Sequence, residues 1–178
     1  MYTQLYLSGY GLEIDDLRKF RTLGSLTPAH PEFGHTAGVE TTTGPLGQGV
    51  GMGVGMAVAA KHVQAVSGAP FDPTIWVFAG DGCMQEGVAA EASSLAGHLQ
   101  LGNLVMIYDD NRISIDGDTH LAFTEDVSAR YRAYGWNVIE VAKRADGDID
   151  IEALDAAMTA AKQDRKSPTL IRMQSTMA

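Results

Sequence analysis

Between Thr74 and Met173, short apolar runs alternate with stretches in which apolar and small residues recur at helical spacing. Thr74–Ala79 (TIWVFA), Leu104–Tyr108 (LVMIY), Asn137–Val141 and Thr169–Met173 are short, rich in β-branched and aromatic residues, and predict buried strands. Gln85–His98, Glu125–Tyr134 and Ile149–Ala161 predict helices. Strands alternating with helices mean βαβ units with right-handed crossovers. The expected fold is therefore α/β, a mostly parallel sheet with helices on both faces.

The amino-terminal part is less regular. Its first twelve residues are apolar-aromatic and punctuated by glycine, and Glu13–Thr22 places Ile14, Leu17 and Phe20 on one side of a short amphipathic helix. Residues 23–43 hold two prolines, two histidines and three consecutive threonines, a pattern of irregular loop. The glycine ladder that follows has the period of a strand, but its Ala-rich continuation favours a helix starting loosely near Leu46. Each interior glycine costs such a helix about 1 kcal/mol against alanine. Close packing against another element must offset that cost. Met52 and Met56, four apart, read as core fillers.

Composition narrows the function classes. A chain of 178 residues that is 45% hydrophobic and 20% charged reads as one globular domain able to fold without staples. Its net charge of −9 opposes nucleic-acid or anionic-membrane binding, both of which need a basic face. No apolar run reaches 18 residues and the start lacks a basic n-region, so neither a membrane span nor a signal peptide is expected. Cys83 is the single cysteine, which excludes an internal disulfide and fits a reducing, cytoplasmic compartment.

In open parallel sheets, ligands lie beyond the carboxyl ends of the strands. Two loops meet that condition, Gly80-Asp81-Gly82 and Asp109-Asp110-Asn111-Arg112. Gly80 permits a sharp turn, and Gly82, lacking a Cβ, lets an anion approach free N–H groups at a helix start. A carboxylate in a phosphate-binding turn is electrostatically wrong unless a cation lies between them. Asp81 thus predicts a divalent metal bridging carboxylate and phosphate, although Gly-Asp-Gly by itself is more often a plain turn. Asn111 stands 30 positions later, where an adjacent strand would end, and its amide oxygen suits Mg²⁺. The bland alternative is a polar loop capping a strand. An EF-hand fails, because Ile113 takes a ligand position and Ser114 replaces the required glycine. A P-loop and a Gly-x-Gly-x-x-Gly fingerprint are also absent.

Gly-Asp-Gly followed about thirty residues later by Asn resembles the thiamine diphosphate signature, and the surrounding sequence resembles the transketolase family. The stretches that carry the resemblance are Thr27–Phe33 (TPAHPEF), Gly38–Gly49 (GVETTTGPLGQG), Gly80–Gly87 (GDGCMQEG), Glu91–Leu99 (EASSLAGHL), Tyr108–Gly117 (YDDNRISIDG) and Arg130–Trp136 (RYRAYGW). The resemblance implies that Asp81, Asn111 and the main-chain oxygen of Ile113 hold the metal, Mg²⁺ with Ca²⁺ as the alternative. Gly82 and the Gly44-Pro45-Leu46 turn would contact thiamine diphosphate. His30 matches a histidine near the reacting carbons, and Glu86 and Glu91 match acids that link active sites across a dimer. The implied catalytic residues are His30 and Glu86. Five residues apart is about 140° around an α-helix, so the two glutamates would not share a face.

The resemblance is confined to part of the diphosphate-binding domain. The family's pyrimidine-binding domain, with its activating glutamate, and its carboxy-terminal domain have no counterpart here, and Ala29 stands where the family usually has glycine. Two readings follow. In one, the chain is a natural subunit or fragment contributing to two-carbon ketol transfer between sugar phosphates in the pentose phosphate pathway. In the other, it is a non-catalytic remnant or interaction module. Small and apolar residues on too many faces of the two glycine- and alanine-rich helices predict a homodimer or a complementing transketolase chain.

Overall fold

The computed structural model describes residues 1–68, 70–115 and 117–176. The chain divides into two compact units, Met1–Pro45 and Leu46–Ala178. The first unit holds two short helices, α1 (Tyr2–Leu7) and α2 (Ile14–Arg18), and is otherwise irregular. Its loops are tied down by hydroxyls rather than by a ladder. Tyr2 donates to the Pro28 carbonyl (2.8 Å), Thr27 to that of Asp16 (2.6 Å) and Thr36 to that of Leu26 (2.6 Å). The helix expected over Glu13–Thr22 contracts to Ile14–Arg18: Glu13 and Asp16 form a capping box at its start, and beyond its end Arg21 turns left-handed (φ 65°) and donates its N–H to the Thr27 carbonyl (3.0 Å). Ile14 and Phe20 stay exposed, so the expected apolar face is not a buried one. α1 was not expected from the sequence.

The second unit begins with α3 (Gln48–Ser67), which leads into β1 (Ile75–Gly80). A single turn, α4 (Asp81–Met84), precedes α5 (Gly87–His98) and β2 (Leu104–Asp110). β3 (Ile113–Ser114) and β4 (Gly117–Asp118) form a small antiparallel pair. Then come α6 (Val127–Ala133), β5 (Asn137–Val141), α7 (Ile151–Gln163) and β6 (Thr169–Gln174). The four long strands are all parallel, in the order β1-β2-β6-β5. This is the α/β architecture that the alternation predicts. Among the described residues no helix is long and apolar enough to cross a membrane.

β2 is central and buried on both faces, as a continuous apolar run demands. Leu104, Met106 and Tyr108 join the core beneath α3, α5 and α6, whereas Val105 and Ile107 join the core beneath α7. Tyr131 of α6 is fully buried and meets Trp136 edge-on at 5.0 Å. At the sheet's edge, Phe78 of β1 stays 73% exposed.

The glycine ladder is helical, and one of its glycines explains why. A Cβ on Gly53 would lie 2.2 Å from Val77 Cγ2, so α3 can approach β1 only without one. Gly55 meets nothing within 4 Å. Met56 is exposed rather than core, because its side of α3 faces outward beside Val63 and Val66.

Three helices begin two residues later than expected. Glu86, Asp126 and Asp150 are the N-cap residues, and the last two accept N–H bonds from Ala129 and Ala153, both at 2.9 Å. Glu86 therefore lies outside the helical spiral, and the 140° separation from Glu91 does not apply.

Candidate cofactor-binding site

β1 and β2 pair in parallel with Gly80 opposite Asp109, so the two strands end level with one another. The chain leaves β1 through extended Gly80 and enters α4 at Asp81, which sets that carboxylate beside the loop following β2. Asp81 is 2% exposed. Its Oδ1 accepts the Tyr108 hydroxyl (2.7 Å), and its Oδ2 accepts two successive backbone N–H groups, of Asn111 (3.1 Å) and Arg112 (3.0 Å). Arg112 adopts the left-handed region (φ 64°), strain that a loop keeps only where its contacts hold it.

A second buried carboxylate lies nearby, and the contrast between the two is informative. Asp110 is neutralised by Arg172, whose Nε and Nη2 reach its Oδ2 at 2.7 and 2.6 Å, and by Arg112 Nε at 3.0 Å from Oδ1. Asp81 has hydrogen-bond donors but no cationic partner among the described residues. Burial pushes its pKa up, against the pull of the Tyr108 hydrogen bond, and the negative charge of Asp110 adds to the rise. A buried, uncompensated carboxylate at a helix start fits a bound cation.

The neighbouring oxygens complete the donor set. Asn111 Oδ1 accepts the Ile113 N–H at 2.9 Å. Thr119 donates its N–H to the Arg112 carbonyl (3.0 Å), a single hydrogen bond beside the antiparallel ladder, since the Arg112 N–H serves Asp81. Ile113 pairs with Asp118 in that ladder. The Ile113 N–H is turned off the ladder towards Asn111. The oxygens gathered here are carboxylate, carboxamide and main-chain oxygens, the hard donors that Mg²⁺ takes, commonly with phosphate oxygens and water.

Gly82 is overlaid by Leu46, whose Cδ1 would lie 2.9 Å from an added Cβ. Asp81, Gly82, Leu46, Asn111 and Ile113 are therefore brought together. Glu86 packs its Cβ against the left-handed Gly47 that caps α3, and both Glu86 and Glu91 are exposed. Neither glutamate is ion-paired within the described residues. In the first unit, the exposed His30 lies over Gly44, where an added Cβ would come 2.7 Å from the ring. Pro45 ends that unit. Cys83 is half-buried against the core, as a packing residue would be. A cavity of about 380 Å³ opens between Asp81, Tyr108, Arg172 and the start of α6. It includes neither Gly82 nor Asn111, so it lies on the α6 side of the carboxylate rather than over the glycine turn.

Sequence reasoning named Asp109 and Asp110 only as members of the candidate loop and Tyr108 only within a motif, gave none of them a role of its own, and did not single out Arg172. Arg172 carried a readable signal, a lone charge in the apolar run of β6. Tyr108 carried none, because a tyrosine closing a strand looks like core.

A family profile described as transketolase, thiamine diphosphate binding domain, matches residues 1–178. The chain belongs to this family. The transketolase of Scheffersomyces stipitis is 54% identical over 181 residues, which is 99% of this chain and 26% of that protein. The transketolase of Bacillus subtilis is 50% identical over the same shares. A crystal structure of a mutant transketolase from Pichia stipitis, in complex with xylulose-5-phosphate, superposes with a TM-score of 0.88 at 53% identity, covering 97% of this chain and 26% of that one. The transketolase from Campylobacter jejuni gives 0.87 at 45% identity, covering 97% and 27%. This chain thus spans about a quarter of the length of the transketolases it matches.

Proposed function

We propose that this chain supplies the Mg²⁺–diphosphate anchor of a transketolase-type enzyme that transfers a two-carbon ketol unit between sugar phosphates. The observation that carries the proposal is the pairing difference between two buried carboxylates. Asp110 has two arginines, and Asp81 has no cationic side chain among the described residues. The family profile, named for thiamine diphosphate, supports the same reading. So does the sugar-phosphate complex of the Pichia stipitis relative.

Asp81, Asn111 Oδ1 and the Ile113 carbonyl would hold Mg²⁺, with Ca²⁺ as the alternative hard cation. Gly82 would contact the diphosphate at the start of α4, and Gly44, Pro45 and Leu46 would line the cofactor. When bound, thiamine diphosphate supplies the ylid that adds to a ketose carbonyl and carries the two-carbon unit. His30 would act near the reacting carbons. Its exposed ring, over Gly44, is open to a sugar oxygen. Glu86 and Glu91 are exposed carboxylates with no ion-pair partner among the described residues, which supports a role across an interface with a second copy or a complementing transketolase chain. Exposed Val63 and Val66 on α3, with Val88, Leu95 and Leu99 on or just beyond α5, support that association. The profile running through both compact units supports their acting as one domain, and the single cysteine supports a cytoplasmic setting.

Calorimetric titration of Mg²⁺ with thiamine diphosphate into the chain and into Asp81→Asn tests the anchor. The Asn111 and Arg112 N–H groups can share the new amide oxygen, and the Tyr108 hydroxyl can reverse to accept from the new amide nitrogen, so the variant should fold. Binding by the parent and its loss in the variant is the expected result. Equal binding by both, or binding by neither, overturns the proposal. Turnover is expected only when polypeptides carrying the remaining transketolase segments are added, and its absence in a confirmed assembly would favour the remnant reading.

A further inference from the structure

We propose that Asp109 is a positioning residue, which fixes the carboxamide of Asn111 with its oxygen turned away from Asp109 and towards the Ile113 backbone. The two ends of a carboxamide are nearly the same size, so only hydrogen-bond chemistry selects between its two orientations. Asn111 Nδ2 donates to Asp109 Oδ2 at 3.1 Å, and Oδ1 accepts from the Ile113 N–H at 2.9 Å. Turned over, the amide would set its oxygen against a carboxylate that can only accept and its amino group against an N–H that can only donate. Both contacts reject that state.

Asp109 is itself held. Its Oδ1 accepts the Ser175 hydroxyl, delivered from the end of β6, where the Ser175 N–H continues the ladder to the Asp110 carbonyl (3.3 Å). A chain of hydrogen bonds therefore runs from Ser175 through Asp109 to Asn111, joining segments 66 residues apart. The carboxamide oxygen keeps one lone pair after serving Ile113, and a lone pair of this kind is what a hard cation takes. An amide free to turn would present its amino group there for part of the time. The consequence for the cation rests on the proposed function; the orientation of the amide does not.

Nitrogen-resolved NMR of the full chain without metal tests the orientation directly, with the Asn111 side-chain NH₂ pair assigned by its disappearance in Asn111→Asp. The parent should show one proton displaced downfield and slow exchange with water. Asp109→Ala should lose the displacement and exchange at least about tenfold faster, because the carboxylate acceptor is gone. If Asp109→Ala does not fold, the isosteric Asp109→Asn serves, with a shifted or doubled NH₂ pair expected. Unchanged Asn111 signals in a folded variant overturn the proposal. In calorimetry, Asp109→Ala should weaken Mg²⁺–thiamine diphosphate binding roughly 10–100-fold, the usual effect of removing a partner that orients a metal ligand. Unchanged affinity would overturn the link to the cation. A parent chain that binds no Mg²⁺–thiamine diphosphate counts against the proposed function alone, since the amide signals decide the orientation on their own.

Discussion

Tyr108 donates its hydroxyl to Asp81 Oδ1 at 2.7 Å from the almost wholly buried carboxyl end of β2. Burial raises the phenol's pKa far above its ordinary value and the acceptor carboxylate raises it further, so the proton stays on the tyrosine. The bond is thus a neutral donor to a buried anion. Tyr108→Phe removes one of three donors from Asp81 and should cost about 1–3 kcal/mol in urea denaturation at pH 7. A loss below about 0.5 kcal/mol would mean that the two backbone N–H groups suffice.

Arg172 and Asp110 make a pair whose acid is 4% exposed. Breaking a buried pair leaves an uncompensated charge, which costs more than the pair itself contributes. Arg172→Met should destabilise the chain by about 2–4 kcal/mol, the remaining Arg112 contact preventing a larger loss. Restoring neutrality in the double variant Arg172→Met/Asp110→Asn should recover part of it. Chemical denaturation of both variants gives the comparison.

Two glycines of α3 should respond in opposite directions. Gly55→Ala meets open space and should stabilise the helix by about 0.5–1 kcal/mol. Gly53→Ala drives a methyl into Val77 and should destabilise by about 1–3 kcal/mol, the typical cost of overpacking. Thermal unfolding of the two variants side by side separates packing from propensity.

Glu140 is held below the ordinary carboxylate range, first by its hydrogen bond from Arg132 (2.8 Å), against the opposing effect of burial, and also by Arg172. A depressed folded pKa stabilises above the unfolded value, about 4.3 for glutamate, and that contribution is lost as pH falls through the folded value. Glu140→Gln should therefore lower the melting temperature at pH 7 and leave it nearly unchanged near pH 3. The carboxylate is half-exposed, so the difference should stay below about 1 kcal/mol. A larger effect at pH 3 than at pH 7 would contradict the assignment.

The sheet was legible because its strands are apolar runs of ordinary length, and Asn137–Val141 matches residue for residue. Helix starts were less so. Asp126 and Asp150 look like first-turn acids in a sequence, yet each spends its carboxylate on capping the helix. α1 and the β3–β4 pair are too short for any period to register. Within the site, the Asp81–Asn111 separation was readable, since one βαβ step fixes which strands end together. What spacing could not supply was the partner set. Asp81 and Asp110 are the same residue type in similar loops, and only tertiary pairing with Arg172 tells them apart.

β1 lies at the rim of the sheet with one side of its backbone unpaired by any described strand, and Phe78 projects from it largely uncovered. A bare strand edge beside an exposed aromatic is a template for further strands. Solubility of the isolated chain should accordingly be limited by edge-to-edge stacking rather than by unfolding. Turbidity should rise with concentration while the helical signal in circular dichroism persists, and a lysine at position 78 should suppress it without altering the fold.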